Sequence, residues 1–202
     1  MVKRLGIQVM AKSAQPRLRF ITAASLFDGH DAAINIMRRV MQAQGAEVIH
    51  LGHDRSVDEI VKAAIEEDAD GIAVSSYQGG HVEYFSYMVS QLADNQRSDI
   101  RVFGGGGGTI TDKEIEHLES VGVTKIYSVE DGRRLGLEGM IEDMLSTTAD
   151  GRIPRIKLIE DVPNNRHKLA IQLSLIEEGQ EVANDSMSTA APVIGITGVG
   201  GA

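Results

Sequence analysis

Cysteine is absent from the 202 residues. That excludes a disulfide framework and any thiolate metal site, and it fits a reducing, cytoplasmic compartment. Absent too is any apolar run near the roughly 18 residues a spanning helix needs. Lys3, Arg4 and Lys12 break up the stretch from Met1 to Ala14, so neither a membrane anchor nor a secretory signal is read there. Positive charge is in deficit: 20 basic against 29 acidic side chains leave a net −9, and a chain that repels phosphate overall is a poor nucleic-acid binder. A small molecule or another protein is the expected partner. What is present is 42% hydrophobic and 24% charged residues, the balance of a globular chain with a real core rather than of disorder or collagen-like order.

Between Leu18 and Leu145 short β-branched or apolar runs alternate with stretches of helical period, the pattern of parallel strands joined by crossover helices. Strands are expected at Leu18–Leu26, Glu47–Leu51, Gly71–Ser76, Ile100–Phe103 and Lys125–Ser128. Ala33, Ile36, Met37, Val40 and Met41 follow the first with one-face helical spacing, as do Val57, Ile60, Val61, Ala64 and Ile65 after the second. Phe85, Met88, Val89 and Leu92 repeat it, and Leu137, Met140, Ile141, Met144 and Leu145 close it. Ser56 with Glu59 and Thr111 with Glu114 have capping-box spacing, marking two helix starts independently.

Five such units in so short a span predict an α/β, flavodoxin-like doubly wound five-stranded parallel sheet of order 2-1-3-4-5, since a barrel needs roughly 250 residues. Ligands of such sheets sit at the carboxyl strand ends beside the point where the chain reverses direction, so the loops after strands 1, 3 and 4 are the places for chemistry. Residues 1–17 read as an extension and 18–145 as the domain. Residues 146–191 read as a linker with one helix, Arg166–Glu178, and 192–202 as a strand entering a glycine-rich turn.

The first loop is Asp28-Gly29-His30-Asp31. Asp28 is close enough to hold one ring nitrogen of His30, fixing the tautomer that offers the other nitrogen to a metal; a solvated turn histidine is the alternative. The second loop, Ser75-Ser76-Tyr77-Gln78-Gly79-Gly80-His81, puts two hydroxyls and a glycine pair at a strand end, fit either for a ligand heteroatom or for local backbone bonding. The third has five consecutive glycines, Gly104, Gly105, Gly106, Gly107 and Gly108, between an apolar strand and a capped helix. Something bulky against this turn would explain them; a flexible loop is the bland alternative. A response-regulator receiver is excluded, because Ser75 and Ser76 stand where its acceptor aspartate is needed. A flavodoxin fails too, because Asp28 and Asp31 would repel a phosphate.

These residues resemble a known family. Asp28-x-His30-x-x-Ala33, Ser75-x-Tyr77 and the glycine run look like the D-x-H-x-x-G, S-x-L and G-G signature of the cobalamin-binding domains of adenosylcobalamin mutases and methionine synthase, in the right order, from about Arg17 to Leu145. Ala33 for glycine, Tyr77 for leucine and five glycines for two are departures. The longer strings Asp-Gly-His-Asp-Ala, Ser-Ser-Tyr-Gln-Gly-Gly-His and Phe-Gly-Gly-Gly-Gly-Gly resemble the fused isobutyryl-CoA mutases, in which a GTPase chaperone domain and then an acyl-CoA substrate barrel follow. In that light Gly198, Gly200, Gly201 and Ala202 read as the start of a GTPase phosphate loop, cut before its lysine, and the chain as an N-terminal fragment.

The resemblance implies adenosylcobalamin as cofactor, with His30 as the lower axial ligand to cobalt in place of the dimethylbenzimidazole and Asp28 behind it. It implies the displaced nucleotide tail between the strands, Ser75 on the benzimidazole nitrogen, Tyr77 beside it and Gly104–Gly108 along the ribose and phosphate; Gly29, Asp31, Gly79 and Gly80 complete the contacts. It implies further a radical carbon-skeleton isomerase of the isobutyryl-CoA/n-butyryl-CoA type. The barrel and GTPase domain of the same parent chain would be the partners, GTP and Mg would bind in the parent only, and the parent would be a homodimer. By itself the fragment is expected to catalyse nothing, and neither nucleic acid nor membrane is a partner. A methyltransferase or sensor module, and a cofactor-free regulatory domain, are the alternatives. Of the other histidines, His50 and His53 lack the ligands for zinc. His53 is expected in a loop beside the corrin and His81 near the cofactor edge, while His117 and His167 are expected on solvated helix faces.

Overall fold

The computed structural model describes residues 17–30, 32–161 and 165–180. Five strands, β1 (Arg19–Ser25), β2 (Glu47–Arg55), β3 (Gly71–Ser75), β4 (Arg101–Gly105) and β5 (Lys125–Tyr127), form one parallel sheet in the order β2-β1-β3-β4-β5. The helices between them are α1 (Ala32–Ala43), α2 (Val57–Glu66), α3 (His81–Asp94) and α4 (Asp112–Ser120), and α5 (Val129–Asp150) follows β5. This is the doubly wound order expected from the alternation of periods.

Alternation along each strand divides the core between two faces. Ile21, Ile72, Val74, Val102 and Ile126 meet Ile60, Val61, Phe85, Met88 and Leu118 of α2, α3 and α4. Phe20, Ala73, Phe103 and Tyr127 turn the other way, onto Met41 of α1 and Ile141 and Met144 of α5. Most of the apolar residues counted from the sequence at helical spacing cover the sheet, but in α1 the buried isoleucine is Ile34 and the expected Ile36 is exposed; burying a Phe or Ile in such a core contributes about 1.5–3 kcal/mol.

Both expected capping boxes form. The Glu59 N–H donates to Ser56 Oγ at 3.3 Å while the Ser56 N–H donates to Glu59 Oε2 at 3.0 Å, and Thr111 and Glu114 do the same for α4. A third box, Ser128 with Asp131, starts α5; its shorter acid hid it from the capping pattern. Gly136, at φ 65° and ψ 176°, breaks α5 one residue before the apolar series that begins at Leu137, so the periodicity describes the second half of that helix.

Four local expectations are corrected. β2 runs to Arg55 rather than Leu51, because left-handed Gly52 and Asp54 and two register shifts let its irregular end keep pairing with β1. His53 is thus an exposed strand residue, not a loop residue. The described residues of 146–191 hold the end of α5 and two helices rather than one, α6 (Arg155–Asp161) and α7 (Asn165–Glu177). His167, expected in solvent, is buried: with Ile171 and Leu175 it falls on the inward stripe of α7. Burial, then the nearby Arg97 guanidinium, push its pKa down, against Glu66.

These two helices are clasped to the amino edge of the sheet by buried charge. Arg155 donates to Asp68, Asp70 and Glu178, Arg97 to Asp68 and Asp99, and Arg152 to Asp70 and Glu178. Arg19, opening β1, reaches Glu177 and Ser174 of α7. Burial of Asp70 drives its pKa up, with Arg155 the main opposing influence. The opposite, carboxyl edge is left free for the loops.

Candidate functional site

The loops after β1, β3 and β4 meet and are tied together. Ser25 Oγ donates to Ser76 Oγ at 2.9 Å, the Ser76 N–H to the Gly105 carbonyl at 2.8 Å, and Thr109 Oγ1 to the carbonyls of Gly106 and Ser76 at 2.7 and 3.3 Å. The centre of the junction is Asp28, wholly buried. Its Oδ1 accepts the His30 N–H and lies 2.9 Å from His30 Nδ1, and its Oδ2 accepts the Tyr77 N–H at 2.7 Å.

One carboxylate thus fixes the direction of the His30 ring and the course of the β3–α3 loop. Burial pushes the Asp28 carboxyl up, but the amides of Tyr77 and His30 and the His30 ring outweigh it and hold the group below its ordinary range. An ionised acid accepts from Nδ1–H, so the Nε2 lone pair of a neutral His30 is the one left to bond a metal. The His30 side chain is 78% exposed, with the Tyr77 ring 5.5 Å away.

Beside Tyr77 a cleft of ≈ 170 Å³ opens between the sheet and helices α1 and α5. Its lining includes Ala33 and Met37 of α1, Ser75, Tyr77, the chain from Gly104 to Gly107, and Met140 of α5. The walls are largely apolar, and of the two serines in them Ser128 is bonded to Asp131. Ser75 Oγ is buried without a hydrogen-bond partner among the described residues, a condition that costs free energy unless something supplies the missing bond. Ala33 is the second residue of α1, where a methyl in place of glycine is accommodated.

The glycine run has more than one cause. A Cβ at Gly104 would lie 2.4 Å from Phe85 Cζ, and one at Gly106 would lie 1.8 Å from the Ser76 carbonyl oxygen. The protein's own packing thus demands these two, a correction to the single expectation of a bulky ligand against the whole turn. Gly107 has φ +59° and faces the Tyr77 ring; at Gly108 a Cβ would meet nothing within 4 Å among the described residues.

Other expected contacts fall apart from the cleft. Gly29, Gly79 and Gly80 have open space where a Cβ would stand among the described residues and are not in the cleft lining, and Gly80 instead lines a second cavity on the α2–α3 side. His81 is turned inward, its Nδ1 2.9 Å from the Gln78 carbonyl and its Nε2 3.3 Å from Glu114, so it anchors α3 to α4 rather than facing the cleft. His50 pairs with Thr22 at 3.0 Å. Among the described residues no cluster of three or more His, Cys, Asp or Glu is arranged to hold a metal ion; a single imidazole can therefore serve only a metal that brings its other ligands with it. Asp31 and Gly198, Gly200, Gly201 and Ala202 lie outside the described residues.

Sequence reading missed the contact of Asp28 with the Tyr77 amide, which joins positions 49 residues apart. It also counted Met37 and Met140 only as core.

The B12 binding domain family matches residues 18–130. The chain is 53% identical over 196 residues to the fused isobutyryl-CoA mutase of Cupriavidus metallidurans, covering 92% of this chain and 18% of that protein. It is 50% identical over 214 residues to the one from Geobacillus kaustophilus, covering 96% and 19%. The chain therefore spans less than a fifth of the length of these relatives. Among solved structures, a cobalamin-binding protein from Desulfitobacterium hafniense superposes with a TM-score of 0.53 at 23% identity, over 63% of this chain and 58% of that one, a likeness of fold. Matched from the start of β1 to the first turn of α5, the chain belongs to the B12 binding domain family.

Proposed function

We propose that this domain binds adenosylcobalamin with His30 as the lower axial ligand and serves as the cofactor module of a radical acyl-CoA mutase. The observation that carries the reading is the buried Asp28, which holds His30 Nδ1 and leaves Nε2 toward solvent at the carboxyl end of the sheet. A cobalt ion already held in a macrocycle needs one such donor from the protein, which is what the site offers.

The cleft fits the other half of the cofactor. Displaced from cobalt, the benzimidazole of the nucleotide tail presents a nitrogen acceptor, and Ser75 Oγ is a buried donor lacking a partner among the described residues. The apolar walls and the side-chain-free backbone from Gly105 to Gly107 suit the ring and the ribose behind it. When bound, adenosylcobalamin supplies a cobalt–carbon bond that breaks homolytically to start a carbon-skeleton rearrangement. The chain's own residues bind and orient: Asp28 keeps the His30 tautomer, Tyr77 walls the tail from solvent, and Ser75 fixes its register.

The names of the relatives support isobutyryl-CoA as substrate of a longer parent, whose acyl-CoA barrel would complete the active site and whose GTPase domain would hold GTP and Mg. The isolated domain would then bind cofactor without turning over substrate. Mixed with adenosylcobalamin and desalted, the protein stays coloured with a base-off, histidine-ligated spectrum, and His30→Ala retains cofactor more weakly without that signature. A colourless wild-type protein after desalting contradicts the reading.

A further inference from the structure

Phe27 is the most exposed large apolar side chain among the described residues, at 77%, and its backbone is left-handed, φ 63°. A bulky L-residue pays for that conformation in steric strain, which persists only where surrounding contacts enforce it. Here they do. The Phe27 N–H donates to Asp54 Oδ1 at 2.7 Å; Asp54 is itself left-handed at φ 56°, and its N–H reaches the Asp28 carbonyl at 3.4 Å. Two unfavourable backbone conformations thus present an aromatic ring to water, on the segment whose next residue, Asp28, holds His30.

The ring is not needed by the core. It borders the cavity of ≈ 440 Å³ that lies across the sheet from the tail cleft, together with Leu26, Val57, Tyr84 and Tyr87. Phe27 and the half-exposed Tyr77 are thus two aromatic groups on loops that Asp28 joins, with the imidazole of His30 on the same short segment as Phe27. A wide, flat, largely apolar ligand covering His30 would bury them together.

Resting on the cobalamin reading above, we propose that Phe27 is a binding residue for the corrin ring, packing against its lower face beside the axial histidine and independently of the tail cleft. Asparagine tolerates the left-handed conformation, so Phe27→Asn removes the ring while keeping the turn; Phe27→Gly is the second variant, and Phe27→Tyr restores the aromatic face. Unfolding temperature is measured for each cofactor-free protein, and adenosylcobalamin affinity by spectroscopic titration. The expected result is a Tm for the Asn or Gly variant within about 2 °C of wild type or above it. Its Kd rises about tenfold or more, as for loss of a buried aromatic contact, and the Tyr variant stays within about twofold. If a folded Asn or Gly variant binds as tightly as wild type while wild type shows the histidine-ligated spectrum, Phe27 has no such role and the cobalamin reading stands. If wild type itself does not bind, both fall.

Discussion

An imidazole in solvent is an ordinary surface group until its other nitrogen is fixed. Asp28 fixes it, and the consequences can be measured one residue at a time. In Asp28→Asn the amide oxygen can still accept from His30, but the amide group opposes the Tyr77 N–H that Oδ2 now accepts, leaving two donors face to face. The loss is about 1–3 kcal/mol at neutral pH. Because the folded pKa of Asp28 lies below its ordinary value, its stabilisation is complete above about pH 4 and is lost as pH falls through the lower folded value. Urea unfolding of wild type and variant should therefore differ at pH 7 and converge on strong acidification; a gap that does not depend on pH contradicts the assignment. Ser75→Ala should behave oppositely. Its hydroxyl has no partner among the described residues, so the cofactor-free protein loses nothing or gains up to about 1 kcal/mol, while cobalamin, titrated against both proteins, binds the variant more weakly. Equal affinity would take Ser75 out of the tail site.

At the scale of elements, strands and helices were legible where hydrophobic period alone determines them, and less so where a local device intervenes. β1, β3 and the apolar faces of α2 and α3 follow from alternation and from i, i+3, i+4 spacing. The irregular end of β2 does not, because Gly52 and Asp54 turn left-handed through contacts with β1 and Phe27 that no local pattern encodes. α6 and α7 were thinly marked for a related reason: beyond a small apolar cluster around Ile171 and Leu175, what ties them to the sheet is charge. Asp68 and the arginines that reach it lie in different segments, and their pairing appears only on folding. Arg155 and Asp68 are both almost fully buried, so Arg155→Ala leaves Asp68 with Arg97 alone and should cost about 1–3 kcal/mol. A cost below about 1 kcal/mol in equilibrium unfolding would mean that α6 and α7 add little to the domain.

For the whole molecule, the doubly wound order separates the two ends of the sheet. The amino edge is closed by the arginine–carboxylate clasp of α6 and α7, and the carboxyl edge carries Asp28 and His30, tied through the Tyr77 amide to the cleft that Ser75 and Tyr77 line. The three loops were legible as a set because strand order fixes which strand ends are neighbours. The contributions within them were not: Gly104 and Gly106 proved to answer the protein's packing, and Phe27 carried no motif. The account turns on whether a protein nitrogen occupies the lower position of bound cobalt. Electron paramagnetic resonance of the cobalt(II) form of the complex, prepared with natural and with 15N-histidine-labelled protein, tests it most directly. The account predicts nitrogen splitting that changes from three lines to two on labelling; a spectrum indifferent to the label would contradict it.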